Sequence, residues 1–266
     1  NFVRYIDERR DFDSIEFQYT GTDMELDLCN EFGFENTFLL QYDALITPRY
    51  QELIKSSLGN DSEVGGWWEI TQPHAEAAGL KWRGRYPWDW HANVGFSTGY
   101  TLEEREILVD VYMAKFKEIF GYYPKSVGSW FIDAHTLAYM YEKDGIVASC
   151  NCRDQYGTDG YTFWGGYWNQ AYYPSKINAY MPAQTKAGQI PVPIFRMLGS
   201  DPAAGIFFGN AIPGHQPLYT HFFRGGDRHG HIAIFRQSAF KQSDGIDGNE
   251  RRNGRHFPQN RLLHGG

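Results

Sequence analysis

The chain has 266 residues, 42% of them apolar and 17% aromatic, so it can bury the core of one large domain or two small ones. Its net charge of −7 and pI near 5.7 argue against a nucleic-acid partner, because such proteins usually present a basic face. No apolar run approaches the roughly 20 residues that a membrane span requires. A chain that begins at Asn1 rather than Met favours a processed or truncated protein and, with it, an exported one.

The organising feature of the sequence is an apolar run that ends in a carboxylate. Residues 38–43 (FLLQYD) predict a buried parallel strand over about 37–42, and a helix-like segment follows from Pro48 to Leu58. The carboxyl end of such a strand opens onto the ligand side of an α/β fold, which makes Asp43 a candidate for chemistry. The alternative is a turn or N-cap role for Asp43.

Four more strands are predicted to end in the same way. They are 63–70 with Glu69, 126–133 with Asp133, 146–152 with Asp154, and 190–198 with Asp201. Strands that alternate with helices imply an α/β fold with a parallel sheet or barrel, whose site lies at the carboxyl ends of the strands. The carboxylates would then converge on one mouth, although each of them could instead cap a helix.

Two long connections, 71–100 and 157–175, are rich in aromatic residues and contain or adjoin most of the Trp. Loops of this length in a compact domain are usually functional, and the alternative is a surface loop packed on its own aromatics. Because sugar rings stack on Trp while their hydroxyls bond to polar side chains, an aromatic and acidic mouth favours a carbohydrate substrate. The predicted substrate-binding residues are Trp67, Trp68, Trp88, Trp130, Asp154, Trp164, Trp168 and Arg196, the last of which could equally form a structural ion pair.

Other local signals define helices, thiols and the end of the chain. Thr101 and Glu104 form a capping-box pattern that opens a helix ending at Gly121. Cys150 and Cys152 are read as two buried thiols rather than a disulfide or metal pair. Residues 1–34 are predicted to be a lead-in that packs on a barrel domain over 35–223, which is itself truncated if the true carboxyl end is missing. The basic stretch 224–266, with eight Arg or Lys against four Asp or Glu, is predicted to be a poorly ordered tail.

The motifs leave two chemistries open. A pair of carboxylates can hydrolyse a glycosidic bond as acid plus base or nucleophile, and a carboxylate with His can hold a divalent metal that activates water. We expect no GxSxG elbow, P-loop, HExxH or GxGxxG motif in the sequence, so the chemistries of those motifs are not predicted. We predict Asp43 and Asp133 as the central catalytic pair, with Glu69 and Asp201 as further candidates.

The run ending in Asp43 resembles the first motif of polysaccharide deacetylase-like proteins of the glycoside hydrolase/deacetylase superfamily. The resemblance covers about residues 35–202 and implies an incomplete (β/α)7 barrel. In that family the first strand ends in Thr-Phe-Asp-Asp, whose first Asp is the catalytic base and whose second binds metal. The matching stretch 40–43 (LQYD) puts Tyr42 at the position of the base and Asp43 at that of the metal ligand.

The other two motifs depart further from the family. Residues 65–71 (GGWWEIT) stand where two metal-binding His are expected, and 129–133 (SWFID) replaces an Arg-Pro-Pro-like motif. A divalent metal therefore has no intact motif, and only Asp43, His74 and His91 are candidate ligands. Three functions follow: a carbohydrate-active hydrolase with carboxylate chemistry, a deacetylase with a rebuilt metal site, or a non-catalytic sugar-binding barrel. The sequence does not indicate an oligomeric state.

Overall fold

The computed structural model describes residues 2–3, 12–86, 89, 91–151, 155–158, 161–163 and 171–196. All of them belong to one compact unit. The strands are β1 (Phe2–Val3), β2 (Thr37–Leu40), β3 (Glu63–Trp67), β4 (Ser126–Ser129), β5 (Ala148–Asn151), β6 (Gln155–Thr158), β7 (Tyr161–Phe163), β8 (Ala171–Tyr172) and β9 (Ile194–Arg196). The helices are α1 (Phe12–Phe32), α2 (Tyr42–Ile46), α3 (Pro48–Ser57), α4 (Gln72–Ala77), α5 (Ala92–Gly95), α6 (Leu102–Phe120) and α7 (Ala134–Asp144), and residues Ser97–Gly99 form a 3-10 turn.

Seven of these strands form one sheet in the order β1-β2-β3-β4-β5-β9-β8. Each neighbouring pair from β1 to β9 is parallel, and β8 joins antiparallel at the edge. The predicted α/β class with a parallel sheet is confirmed, and the arrangement is consistent with an incomplete (β/α)7 barrel. Within the described ranges, no helix combines the length and apolar character of a membrane span.

The predicted ends of helix α6 are confirmed. Thr101 and Glu104 exchange both bonds of a capping box at the start of α6, and Gly121 ends the helix in the left-handed conformation. The N-terminal lead-in contains more structure than predicted, since β1 extends the sheet beside β2 and α1 spans 21 residues. The domain boundaries at 34 and 223 stay predictions, and the basic tail lies outside the described residues.

The two faces of the sheet pack against different neighbours. Phe38, Leu40 and Val64 belong to the large apolar core that the sheet shares with the helices, whereas Leu39 and Trp67 form a separate small cluster against which Trp130 and Cys150 pack. Successive side chains of a strand point to opposite faces, so this second cluster marks the other side of the sheet. We call that side the inner face and define it by these residues: Leu39, Gln41, Gly65, Trp67, Glu69, Gly128, Trp130 and Cys150.

Close packing in the middle of the inner face depends on glycine. A Cβ atom at Gly128 would lie 2.5 Å from Leu39 Cδ1, 2.6 Å from Cys150 Sγ and 3.3 Å from the Trp67 ring. Leu39 and Trp67 are buried, at 4% and 0% exposure, and have little room to move. Gly128 therefore lets the side chains of three strands meet in one layer.

We expect Gly128→Ala to destabilise the fold by about 1–3 kcal/mol through overpacking, as measured by urea unfolding. Gly21→Ala in α1 is the matched control, because a Cβ there meets nothing within 4 Å and helix propensity should make the change neutral or slightly stabilising. Adding Cys150→Ala to Gly128→Ala should restore part of the loss. A Gly128→Ala variant as stable as the wild type would disprove the packing argument.

Candidate functional site

Glu69 lies at the carboxyl end of β3 and is held by two neighbours on the inner face. Gln41 Nε2 donates to Glu69 Oε2 at 3.1 Å, and Trp67 Nε1 donates to the same oxygen at 3.0 Å. Glu69 is only 4% exposed, and both donors are completely buried. Two N–H donors on one buried carboxylate oxygen hold the Glu69 side chain in a fixed orientation.

Asp43 occupies the corresponding place after the neighbouring strand. It lies in the first turn of the short helix α2, is 8% exposed, and accepts a hydrogen bond from Thr71 Oγ1 at 2.5 Å. Thr71 follows Glu69 by two residues, just as Asp43 follows Gln41. The pairs Gln41–Glu69 and Asp43–Thr71 therefore link the ends of β2 and β3 twice, and they bring both predicted carboxylates to one edge of the sheet.

Asp133 has a different environment from the one its predicted catalytic role requires. It is the N-cap of α7, accepting from the Thr136 backbone N–H at 3.0 Å and from its hydroxyl at 2.6 Å. Ser97 Oγ donates to it at 2.5 Å and Arg105 at 3.0 Å. Burial raises its pKa, but these bonds and the charge of Arg105 outweigh that effect and lower the pKa below its usual value. The contacts favour the N-cap alternative, and the catalytic role of Asp133 remains a prediction.

Ser97 corrects the expectation that the sequence lacks a GxSxG pattern. It is the centre of a Gly-x-Ser-x-Gly pattern over 95–99, the signature of a nucleophile elbow. An elbow requires a strand-to-helix turn, whereas Ser97 begins a 3-10 turn after α5 and is fully buried against Asp133. Gly99 has a separate explanation, since a Cβ there would lie 2.0 Å from the Asn93 carbonyl oxygen. The pattern therefore supports the cap of α7 rather than a serine nucleophile.

The predicted Trp platforms do not share one surface. Trp67 is 0% exposed and bonds to Glu69, and Trp68 is 1% exposed in the core shared with the helices, at 5.5 Å from the His74 ring. Alternation along β3 explains the difference, because neighbouring residues face opposite sides of the sheet. Trp130 meets Trp67 edge-on at 5.4 Å and is, among the described side chains, the predicted platform that is not fully buried.

Several predicted site residues lie outside the described part of the chain. These are Trp88, Asp154, Trp164, Trp168 and Asp201, together with the side chain of Arg196. Their roles stay predictions.

His91 lies in an ionic cluster with Asp89 and Arg85 in the long connection 71–100. Its Nδ1 is 2.6 Å from Asp89 Oδ1, and Asp89 also accepts from the backbone and the guanidinium of Arg85. Asp89 is 1% exposed; burial raises its pKa, but the bonds from Arg85 and His91 lower it well below its usual value. The cluster is near the mouth, because the carbonyl of Gly95 accepts from the Ile70 N–H and Gly95 also abuts the Asp89 carbonyl.

His74 is buried on the helix side of the sheet. Its ring stacks on Tyr42 at 4.6 Å between centroids, and its Nε2 lies 2.9 Å from the Leu108 carbonyl oxygen. A carbonyl only accepts, so Nε2 carries the proton. Burial lowers the pKa of His74 to about 4, and the bond to Leu108 acts in the opposite direction. His74 is therefore a neutral core residue at neutral pH.

The described residues contain no group of three His, Cys, Asp or Glu side chains that could hold a metal ion. Cys150 is partly buried, rather than fully buried as predicted, and burial raises the pKa of its thiol to about 11. Cys152 lies outside the described residues. A metal site built on Asp43, His74 and His91 remains a prediction.

Two buried groups should give the stability opposite pH dependences. The pKa of Asp144, the last residue of α7, is raised to about 6, mainly by burial, and its Oδ2 has no hydrogen-bond partner. Because its pKa is raised, the ionised Asp144 carboxyl lowers the free energy of unfolding at pH 7. This loss disappears as the carboxyl becomes protonated when the pH falls through 6. The pKa of His74 is lowered to about 4, so the unfolded state binds a proton before the folded state does. The free energy of unfolding therefore decreases as the pH falls from about 6.5 to 4.

We expect Asp144→Asn to raise the free energy of unfolding at pH 7 by about 2 kcal/mol, since it removes an unpaired charge at a helix C-terminus. Because the compensating effect of Asp144 is then gone, the variant should lose stability more steeply than the wild type between pH 6 and 4. Urea unfolding at half-unit pH steps measures both effects. Glu118→Gln, an exposed carboxyl paired with Lys115, is the control and should leave the slope nearly unchanged. Parallel curves for wild type and Asp144→Asn would contradict the assignment.

The fold is similar, at low sequence identity, to two solved structures. A provisionally assigned glycoside hydrolase/deacetylase from Parabacteroides distasonis aligns at TM-score 0.44 and 15% identity, over 74% of this chain and 43% of that chain. A provisionally assigned polysaccharide deacetylase from Mycobacterium smegmatis aligns at TM-score 0.41 and 13% identity, over 71% and 50%. This chain thus spans about half the length of the structures it resembles.

No family model and no curated protein matches the sequence. At these TM-scores the folds are loosely alike, so the site has to be interpreted from its own residues.

Proposed function

We propose that this protein is a carbohydrate-active hydrolase that acts on a polysaccharide or oligosaccharide with carboxylate chemistry. The observation that carries the proposal is the network at the carboxyl ends of β2 and β3, where Gln41 and Trp67 hold Glu69 and Thr71 holds Asp43. Carboxyl ends of parallel strands are where α/β folds place their active sites.

Glu69 and Asp43 are the carboxylates we assign to the reaction, in place of the predicted pair of Asp43 and Asp133. Hydrolysis of a glycosidic bond needs one carboxyl group as acid and another as base or nucleophile. Asp133 is less suited to that work, because Ser97, Thr136 and Arg105 already use its oxygens. Trp130, whose ring is partly exposed beside Trp67, is the assigned stacking surface for a sugar ring.

The experiment is a panel of acetylated and non-acetylated glycans, assayed for released sugar and released acetate, each with and without a chelator. Released sugar that is insensitive to chelator supports the proposal. Chelator-sensitive release of acetate would favour the deacetylase with a rebuilt metal site instead. Binding of a glycan without release of either product would favour the sugar-binding barrel.

A further inference from the structure

Gln41 is a polar residue of the inner face that the sequence reading did not select. It directly follows β2, is 0% exposed, and donates its Nε2 to Glu69. Its other polar atom, Oε1, is buried and has no hydrogen-bond partner among the residues that the structure describes. Buried acceptors are nearly always paired in folded proteins, so an unpaired one beside a candidate catalytic carboxylate calls for an explanation.

The orientation of the Gln41 amide is fixed by its neighbour. The oxygen and nitrogen of an amide are often hard to tell apart, and their assignment rests on the partners they meet. A carboxylate can only accept, so the nitrogen of Gln41 must face Glu69 and the oxygen must point elsewhere. The unpaired acceptor therefore follows from the chemistry of the Gln41–Glu69 pair.

The inner face is most exposed on the side of β9 among its described residues. Phe195 is the register partner of Cys150 in the parallel pair β5–β9, so both side chains lie on this face. Phe195 is 43% exposed and Trp130 is partly exposed, whereas Trp67 and Gln41 are covered. The inner face thus runs from a solvent-accessible side, across an aromatic ring, to the Gln41–Glu69 pair.

We propose that Gln41 is a substrate-recognition residue whose Oε1 accepts a hydrogen bond from a sugar hydroxyl or an acetamido N–H beside Glu69. The inference rests on the proposed function. A bound sugar would complete the hydrogen bonding of an acceptor that the free protein leaves unpaired, and it would hold the sugar against the carboxylate. A structural role for Gln41 would require only the bond from Nε2.

The test measures binding of two tetrasaccharide probes by isothermal titration calorimetry: cellotetraose, which offers hydroxyl donors, and its 2-acetamido analogue, which adds amide N–H donors. Gln41→Met removes the acceptor and should weaken binding of the recognised probe about 10-fold. Gln41→Lys keeps an N–H donor toward Glu69 but has no acceptor, so it should lose affinity by a similar factor. Gln72→Met is the matched control, because Gln72 also donates to a carboxylate, that of Glu76, but on the exposed surface of α4.

The possible outcomes separate this inference from the proposed function. Weaker binding by both Gln41 variants and normal binding by Gln72→Met support it. Wild-type affinity in Gln41→Lys would overturn the recognition role while leaving the proposed function intact. Failure of the wild type to bind either probe would overturn both. Should Gln41→Met fail to fold, Gln41→Lys decides, because it preserves a donor for Glu69.

Discussion

Replacing Asp133 by alanine is expected to lower the free energy of unfolding by about 3–5 kcal/mol. The substitution removes the N-cap of α7 and takes the acceptor away from the hydroxyls of Ser97 and Thr136. It also removes the carboxylate that faces the Arg105 guanidinium, which keeps its bonds to the carbonyls of Tyr100 and Thr98. Loss of a cap alone costs about 1 kcal/mol, and a partly buried charge left unpaired costs more. Urea unfolding at pH 7 measures the loss.

The pH dependence provides a second signature of Asp133. Its folded-state pKa is lowered, so its contribution is present above the unfolded pKa of about 4 and is lost as the pH falls through the folded value. Acid destabilisation in that range should be weaker in Asp133→Asn than in the wild type. Glu118→Ala is the control. Glu118 forms an ion pair with Lys115, and its side chain is 65% exposed, so its loss should change the free energy of unfolding by under about 1 kcal/mol. If Asp133→Ala loses hydrolysis but no stability, the catalytic prediction is right and the cap is incidental.

The sequence predicted the fold where one short stretch contains the whole signal. The apolar run predicted as a strand over 37–42 identified β2, which ends earlier, at Leu40, because α2 begins at Tyr42. The capping box at Thr101 identified the start of α6 because all its partners lie within four residues. The carboxylates after β2 and β3 were also selected, since position after a strand is visible in the sequence. These signals depend on spacing along the chain, which the sequence records directly.

The sequence could not predict which face of the sheet each residue occupies. Side chains alternate along a strand, so a shift of one residue moves a side chain from the mouth to the helix layer. Trp68 was predicted to bind substrate, and the family resemblance put Tyr42 at the position of the base. Both pack with His74 on the helix side, and Gln41 occupies the inner position after β2.

Contacts across the fold were equally hidden from the sequence. Arg105 and Ser97 reach Asp133 from 28 and 36 residues away, and no local pattern marks them as its partners. The N-terminal strand was missed because β1 has only two residues, too few for a periodic pattern. Such features are set by tertiary packing rather than by local propensity.

Glu69→Gln is expected to lower the hydrolytic rate at least about 1,000-fold, the largest effect we predict on activity. The substitution keeps the shape of the side chain, and its amide oxygen can still accept from Gln41 and Trp67. What it removes is the charge and the ability to exchange a proton. We therefore expect the unfolding midpoint to change little while the rate on the best substrate of the glycan panel collapses. Asp43→Asn should have a loss of similar kind, because hydrolysis by carboxylates needs both members of the pair.

Glu63→Gln is the matched control for this experiment. Glu63 begins the same strand, and its carboxylate accepts from the hydroxyls of Thr37 and Ser126 at the amino ends of the strands, away from the candidate site. The same chemical change at that end of β3 should leave the rate within about twofold of the wild type. Full activity in Glu69→Gln would remove Glu69 from the reaction and, with it, the assignment of the active site to the ends of β2 and β3. Equal losses in Glu69→Gln and Glu63→Gln would show instead that the rate follows the integrity of the sheet, because the two carboxylates share a strand but lie at its opposite ends.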